Sequence, residues 1–174
     1  MPITAGQLDG LATAMHAEAE KHFRANGTVP ALWFVPGSGG ARLVPMPEGA
    51  IDHDLIAQLA RADRPSAVLF TGEFWVGTVT VPAGAAAKLS MDDLPRPSEQ
   101  ADRREAIVTR AVGRAPSGGL LHAQHVTHIL RTVFGPVQLI PFQLDPAAER
   151  SDDFGAFLAA LLPNSAGPRR APRR

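Results

Sequence analysis

The chain has 174 residues, 45% hydrophobic and 20% charged, which suits one domain with a real core and is too ordinary a composition for wholesale disorder. Formal net charge is zero, but Arg169, Arg170, Arg173 and Arg174 crowd the C-terminal tail, so the rest is mildly acidic, which argues against a nucleic-acid-binding face on the fold itself. The lack of cysteine excludes a disulfide framework, a thiolate metal site and a cysteine nucleophile, and the lack of tyrosine removes Tyr-based acid catalysis. No run approaches the roughly 18 apolar residues of a membrane span, and the N-terminus lacks the basic-then-apolar pattern of a secretory signal. A cytoplasmic protein without a membrane partner is expected.

Residues 4–26 read as a helix, because Leu8, Leu11, Met15 and Phe23, with Ala12 and Ala19 between them, recur at three- and four-residue steps. Thr4 with Gln7 has capping-box spacing, and Asn26-Gly27 offers a left-handed stop. His16 and His22 are expected as solvated histidines on this helix. Residues 30–45 carry short β-prone runs on either side of Gly37-Ser38-Gly39-Gly40, a hairpin pattern. Neither a Lys-Ser/Thr pair nor a long helix follows those glycines, so the phosphate-loop motif is not met. In 47–62, Ile51, Leu55, Ile56 and Leu59 predict a second amphipathic helix. Asp52, His53 and Asp54 stand about 100° apart on such a helix and cannot converge on one ion.

Residues 67–81 have bulky apolar groups at both parities, so a strand covered on both faces is expected, with Gly72 marking a bulge or the close approach of another backbone. A Pro-punctuated loop of some twenty residues follows, then strands at 105–114, 120–132 and 137–142, the last an edge because Pro136 and Pro141 bracket it. The 120–132 segment also has helical spacing, but the flanking Gly118-Gly119 and Gly135-Pro136 favour a strand. Residues 151–162 predict a third helix, with Phe154, Phe157, Leu158, Leu161 and Leu162 in one stripe. The organisation expected is a single domain over 1–163 and a disordered Pro/Arg tail over 164–174, which makes a contact to nucleic acid only a weak prospect. The fold class expected is α+β, an antiparallel sheet of five or six strands with three helices on one face or one end.

His122, His125 and His128 resemble a metal motif, but on a strand the central one faces away from the other two, so no metal site and no cofactor are expected. The polar groups that remain are Glu73 with Arg103, Arg104 and Glu105. Glu73, in a strand read as central, needs a cation or several donors, and Arg103 or Arg104 is the expected partner. In the structural version this is a bridge across the sheet. In the functional version Glu73 and Glu105 are paired carboxylates for acid–base work or a divalent cation, with Trp75 as a stacking wall and Arg103 and Arg104 as binding residues.

Glu73-Phe74-Trp75, then Pro97-Ser98, then Asp102-Arg103-Arg104-Glu105 resembles a group of small bacterial and phage-associated proteins carrying E-x-W, P-S and D-R-x-E. Their layout, an N-terminal helix, a hairpin, a second helix and an antiparallel sheet, is similar to that derived above. This chain departs from them in having Ala101 where they have Pro, and in its Arg tail. The resemblance implies no established activity; it supports the fold and the choice of Glu73, Trp75, Arg103 and Glu105. The function expected is a non-enzymatic binding or accessory protein that associates with itself or with a protein partner. The alternative is a small hydrolase or metal-assisted enzyme using Glu73 and Glu105.

Overall fold

The structure, a computed structural model, describes residues 2–37, 40–46, 53–76, 99–142 and 153–163. Helix α1 (Ala5–Asn26) has both caps read from the sequence: Thr4 and Gln7 form a reciprocal capping box, and Gly27 closes the helix at φ 77°. The hairpin is β1 (Leu32–Gly37) with β2 (Gly40–Pro45), followed by helix α2 (His53–Asp63). Then come β3 (Ala67–Val76), β4 (Arg104–Arg114), β5 (Leu120–Leu130), β6 (Gln138–Phe142) and helix α3 (Asp153–Ala160). Several expectations lie outside the described residues: the hairpin tip at Ser38-Gly39, the start of the second helix before His53, the end of the 67–81 strand, most of the long loop including Pro97-Ser98, Ser151 and Asp152, and the tail.

Six strands form one antiparallel sheet in the order β2-β1-β3-β4-β5-β6, the α+β class expected, with the 120–132 segment a strand. β3 is central, and β6 is an edge. At Gly72 a Cβ would lie 3.4 Å from the Ala31 Cα and 3.1 Å from the Phe74 ring, so the glycine serves a close approach of β1 to β3.

The helices divide between the two faces, a correction to the expectation that all three gather on one face or one end. Ala67 and Leu69 of β3, with Ala111 and Ala123, meet Leu8 and Ala12 of α1. Val68 and Phe70, of the other parity, join Trp33, Val35, Val112, Ile56 and Leu158 beneath α2 and α3. The physical reason is in β3 itself: a strand apolar at both parities requires a cover on each side. Trp33 anchors the second core, fully buried against Phe70 at 4.8 Å and edge-on to Phe157 at 6.0 Å.

Helix α1 buries Leu8, Ala12, His16, Ala19 and Phe23. His16 is therefore a correction to the solvated reading, because it continues the same stripe onto the sheet, whereas His22 is exposed. α1 lies mainly across β3, β4 and β5, and among the described residues no helix is centred on the β1–β2 end of that face.

Candidate functional site

Strand register explains which of the predicted residues meet. Trp75 pairs with Glu105 and Glu73 with Ile107, so Glu73, Trp75 and Glu105 share the α1 face, the two acids lying diagonally across β3 and β4. Glu105 in turn opposes Ile129 of β5, and Arg131, two residues on, continues that parity just past the strand end. Arg131 is the cation between the acids. Its Nε donates to Glu105 Oε2 at 2.6 Å and its Nη2 to Glu105 Oε1 at 2.9 Å, a two-pronged charge-assisted grip. The same Nη2 reaches Glu73 Oε1 and the Gly27 carbonyl, each at 3.5 Å, and the Phe23 ring lies 5.4 Å from the guanidinium carbon. The other Glu73 oxygen, Oε2, accepts the Val29 N–H at 3.1 Å.

The expectation that Arg103 or Arg104 partners Glu73 is corrected here. Arg104 pairs with Val76 and so sits at the parity opposite to Glu73 and Glu105. Arg103 instead stands over the half-exposed Trp75 ring at 5.5 Å, a cation–π contact at the border of the acid cluster. Glu73, Trp75, Arg103 and Glu105, four of the residues that carry the family resemblance, are thus neighbours at one end of the sheet. Arg131 lies inside the 120–132 run that the sequence predicts as a strand, at the parity of His125, Thr127 and Ile129, a usable signal hidden by its distance in sequence from both acids.

The two carboxyl groups titrate apart. Burial and a hydrogen bond with Glu105 push Glu73 above the usual carboxylate range, against the Val29 N–H that pulls it down. Arg131 holds Glu105 below that range. Within the pair Glu73 therefore holds its proton to higher pH than Glu105 does. The side chains of Glu73 and Glu105 are 20% and 17% exposed, so water reaches the cluster only at its rim.

The three sequence-flagged histidines part as alternation requires. His125 faces α1, 3.2 Å from Asp9 and 3.3 Å from Thr13, whereas His128 packs against Phe142 on the other face. Burial, then the Arg104 charge, lowers the His128 pKa. Among the described residues no three His, Asp or Glu side chains form a metal-binding group.

Sequence reasoning did not find two further features of the α1 face. One is a buried relay of side chains under α1: Thr71 to Thr109 at 2.7 Å, Thr109 to His16 Nδ1 at 2.9 Å, His16 Nε2 to Thr127 at 2.9 Å, and Thr127 to Glu20 at 2.6 Å. The other is a groove of about 580 Å³ between α1 and the hairpin, lined by Leu11, Met15 and Ala19 of α1, Leu32 and Phe34 of β1, Leu43 of β2, and Thr71. Its polar margin carries Glu18, Lys21, His22 and Asn26. Val29 joins the groove to the acid cluster, lining the first while its N–H holds Glu73 of the second. No family model, curated protein or solved structure matches the chain.

Proposed function

We propose that this chain is a binding protein, and that it takes a small apolar molecule into the groove between α1 and the β1–β2 hairpin. The observation that carries the reading is the groove itself. It is concave and walled by aliphatic and aromatic side chains, with a volume of about 580 Å³, inside the usual range for small-molecule sites. It exists because α1 lies mainly over β3, β4 and β5, so that among the described residues Leu32, Phe34 and Leu43 keep an apolar face with no helix packed squarely on it.

Hydrolysis by Glu73 and Glu105 has less support. Both Glu105 oxygens are bonded to Arg131, and Glu73 accepts from Val29 and Arg131, so the pair is engaged inside the protein rather than aimed at a substrate. The better reading of the cluster is a clasp that ties β3, β4, the end of β5 and the C-terminal turn of α1 together.

Fluorescence titration with N-phenyl-1-naphthylamine, which brightens in apolar surroundings, tests the reading. Saturable binding of one probe per chain is expected, and Ala14→Trp, on the exposed flank of the groove, is expected to abolish it while leaving the fold intact. Absence of saturable binding, or binding indifferent to Ala14→Trp, contradicts it.

A second reading, self-association, is favoured by an apolar strip at the β6 edge. Phe134 and Val133 are 100% and 88% exposed there, and Leu130, Ile140 and Phe142 are about half exposed. A second copy of the chain fits this strip best, because a two-fold axis along the edge sets the same residues against one another. Pro141 removes a backbone donor from β6, so such a contact runs through side chains rather than strand addition.

A further inference from the structure

The hydrogen-bond relay under α1 has a direction, and that direction says what the groove recognises. Thr127 donates its one hydroxyl proton to Glu20 Oε1 at 2.6 Å. His16 Nε2 must then be the donor to Thr127, which in a neutral imidazole leaves Nδ1 as an acceptor. Burial pushes the His16 pKa down in spite of the nearby Glu20, which agrees with the neutral ring. Nδ1 accepts from Thr109, and Thr109, its proton used, accepts from Thr71. Every proton of the relay points from Thr71 towards Glu20.

Thr71 is the residue at which this chain meets the groove. It is 2% exposed and contributes to the groove lining. With its proton given to Thr109, its Oγ1 has lone pairs left and no proton to offer. Were His16 protonated, the Nδ1 side of the relay would reverse, Nδ1 donating to Thr109, Thr109 to Thr71 and Thr71 to the Val108 carbonyl at 3.3 Å. One lone pair of Thr71 would still remain. In both states Thr71 can only accept from a further partner.

We propose that the groove selects apolar molecules that carry one hydrogen-bond donor, an N–H or O–H placed to reach Thr71 Oγ1, over molecules of the same shape without it. This rests on the groove reading above and adds a polar rule to it. The ligand class is a compact aromatic or branched aliphatic body bearing a single amine, amide or hydroxyl donor. A buried acceptor strengthens such a preference, because a donor that reaches Thr71 Oγ1 makes its bond out of competition with solvent, and a ligand without the donor forgoes that bond.

The test compares N-phenyl-1-naphthylamine, which has one N–H, with its N-methyl derivative, which has none, on the full chain. About tenfold tighter binding of the N–H probe is expected for the unaltered protein, the usual scale of one such hydrogen bond. Thr71→Val keeps the shape and is expected to erase the preference, whereas Thr71→Ser keeps the hydroxyl and is expected to retain it. Equal binding of the two probes overturns the donor rule and leaves the groove reading standing. A preference that persists in Thr71→Val also overturns the rule, since it then comes from the bulk of the methyl group or from another acceptor. If neither probe binds, the groove reading falls and takes the donor rule with it. Should Thr71→Val fail to fold, equal binding of the two probes to the unaltered chain and to Thr71→Ser remains an outcome that overturns the rule.

Discussion

Arg131 holds Glu105 by two hydrogen bonds, 2.6 Å through Nε and 2.9 Å through Nη2, while its contact with Glu73 is a single one at 3.5 Å. At these distances the Glu105 grip is strong and the Glu73 contact marginal. The cation is therefore committed mainly to β4, and the shorter hydrogen bond of Glu73 is the one from the Val29 N–H at 3.1 Å.

Arg131→Met is expected to destabilise the chain by about 1 kcal/mol, a figure held low because the arginine side chain is 47% exposed and solvent already screens its charge. Urea unfolding at neutral pH measures this. The Glu105→Gln and Arg131→Met effects should not add, since each removes the same bond.

The acid pair makes a pH prediction with opposite signs. Glu105 has a lowered folded pKa, so its contribution is present above the ordinary carboxylate pKa and is lost as pH falls through the folded value. Glu73 has a raised folded pKa, so its folded state binds the proton more tightly and stability is lost as pH rises through the range above the ordinary value. Relative to the unaltered chain, Glu105→Gln should become less stable as pH rises up to about 4.3, and Glu73→Gln more stable as pH rises above it towards 7. Melting temperatures on both sides of that value decide it.

His16 supplies a third prediction. Its pKa is lowered by burial, partly opposed by Glu20 at 3.7 Å and reinforced by His125, whose ring lies 5.8 Å away and itself bonds Asp9 and Thr13. The unfolded chain therefore binds the proton more readily, and stability should fall as pH drops below about 6.5 towards the folded pKa. His16→Ala should cost about 1–3 kcal/mol, because it strips a partner from the buried hydroxyls of Thr109 and Thr127. It should also flatten the pH slope, as read by thermal melts at stepped pH.

The β6 strip predicts concentration-dependent mass in sedimentation, reduced by Phe134→Ser. Because Phe134 is fully exposed, the substitution should leave the melting temperature almost unchanged.

Much of this fold is legible in the sequence where local chemistry and tertiary demand agree. Thr4, Gln7 and Gly27 bound α1, the double-sided run of β3 places it centrally, and Pro136 and Pro141 mark an edge. His16 is misread by residue type, although the stripe through Leu8, Ala12, Ala19 and Phe23 includes it. Arg103 and Arg104 look like partners for Glu73 because they lie close to Glu105, but Arg104 faces the opposite side of the sheet, Arg103 stands over Trp75 just before β4 begins, and the real cation comes from beyond β5. The groove has no sequence signature, since it arises from where a long helix comes to rest on a sheet wider than itself.

The central claim, that the groove rather than the acid cluster is the binding site, is tested most directly by amide chemical shifts in a titration with N-phenyl-1-naphthylamine. Saturating shifts are expected at Met15, Ala19, Val29, Phe34, Leu43 and Thr71. Saturating shifts centred on Trp75, Arg103 and Glu105 with the groove amides unmoved would contradict it.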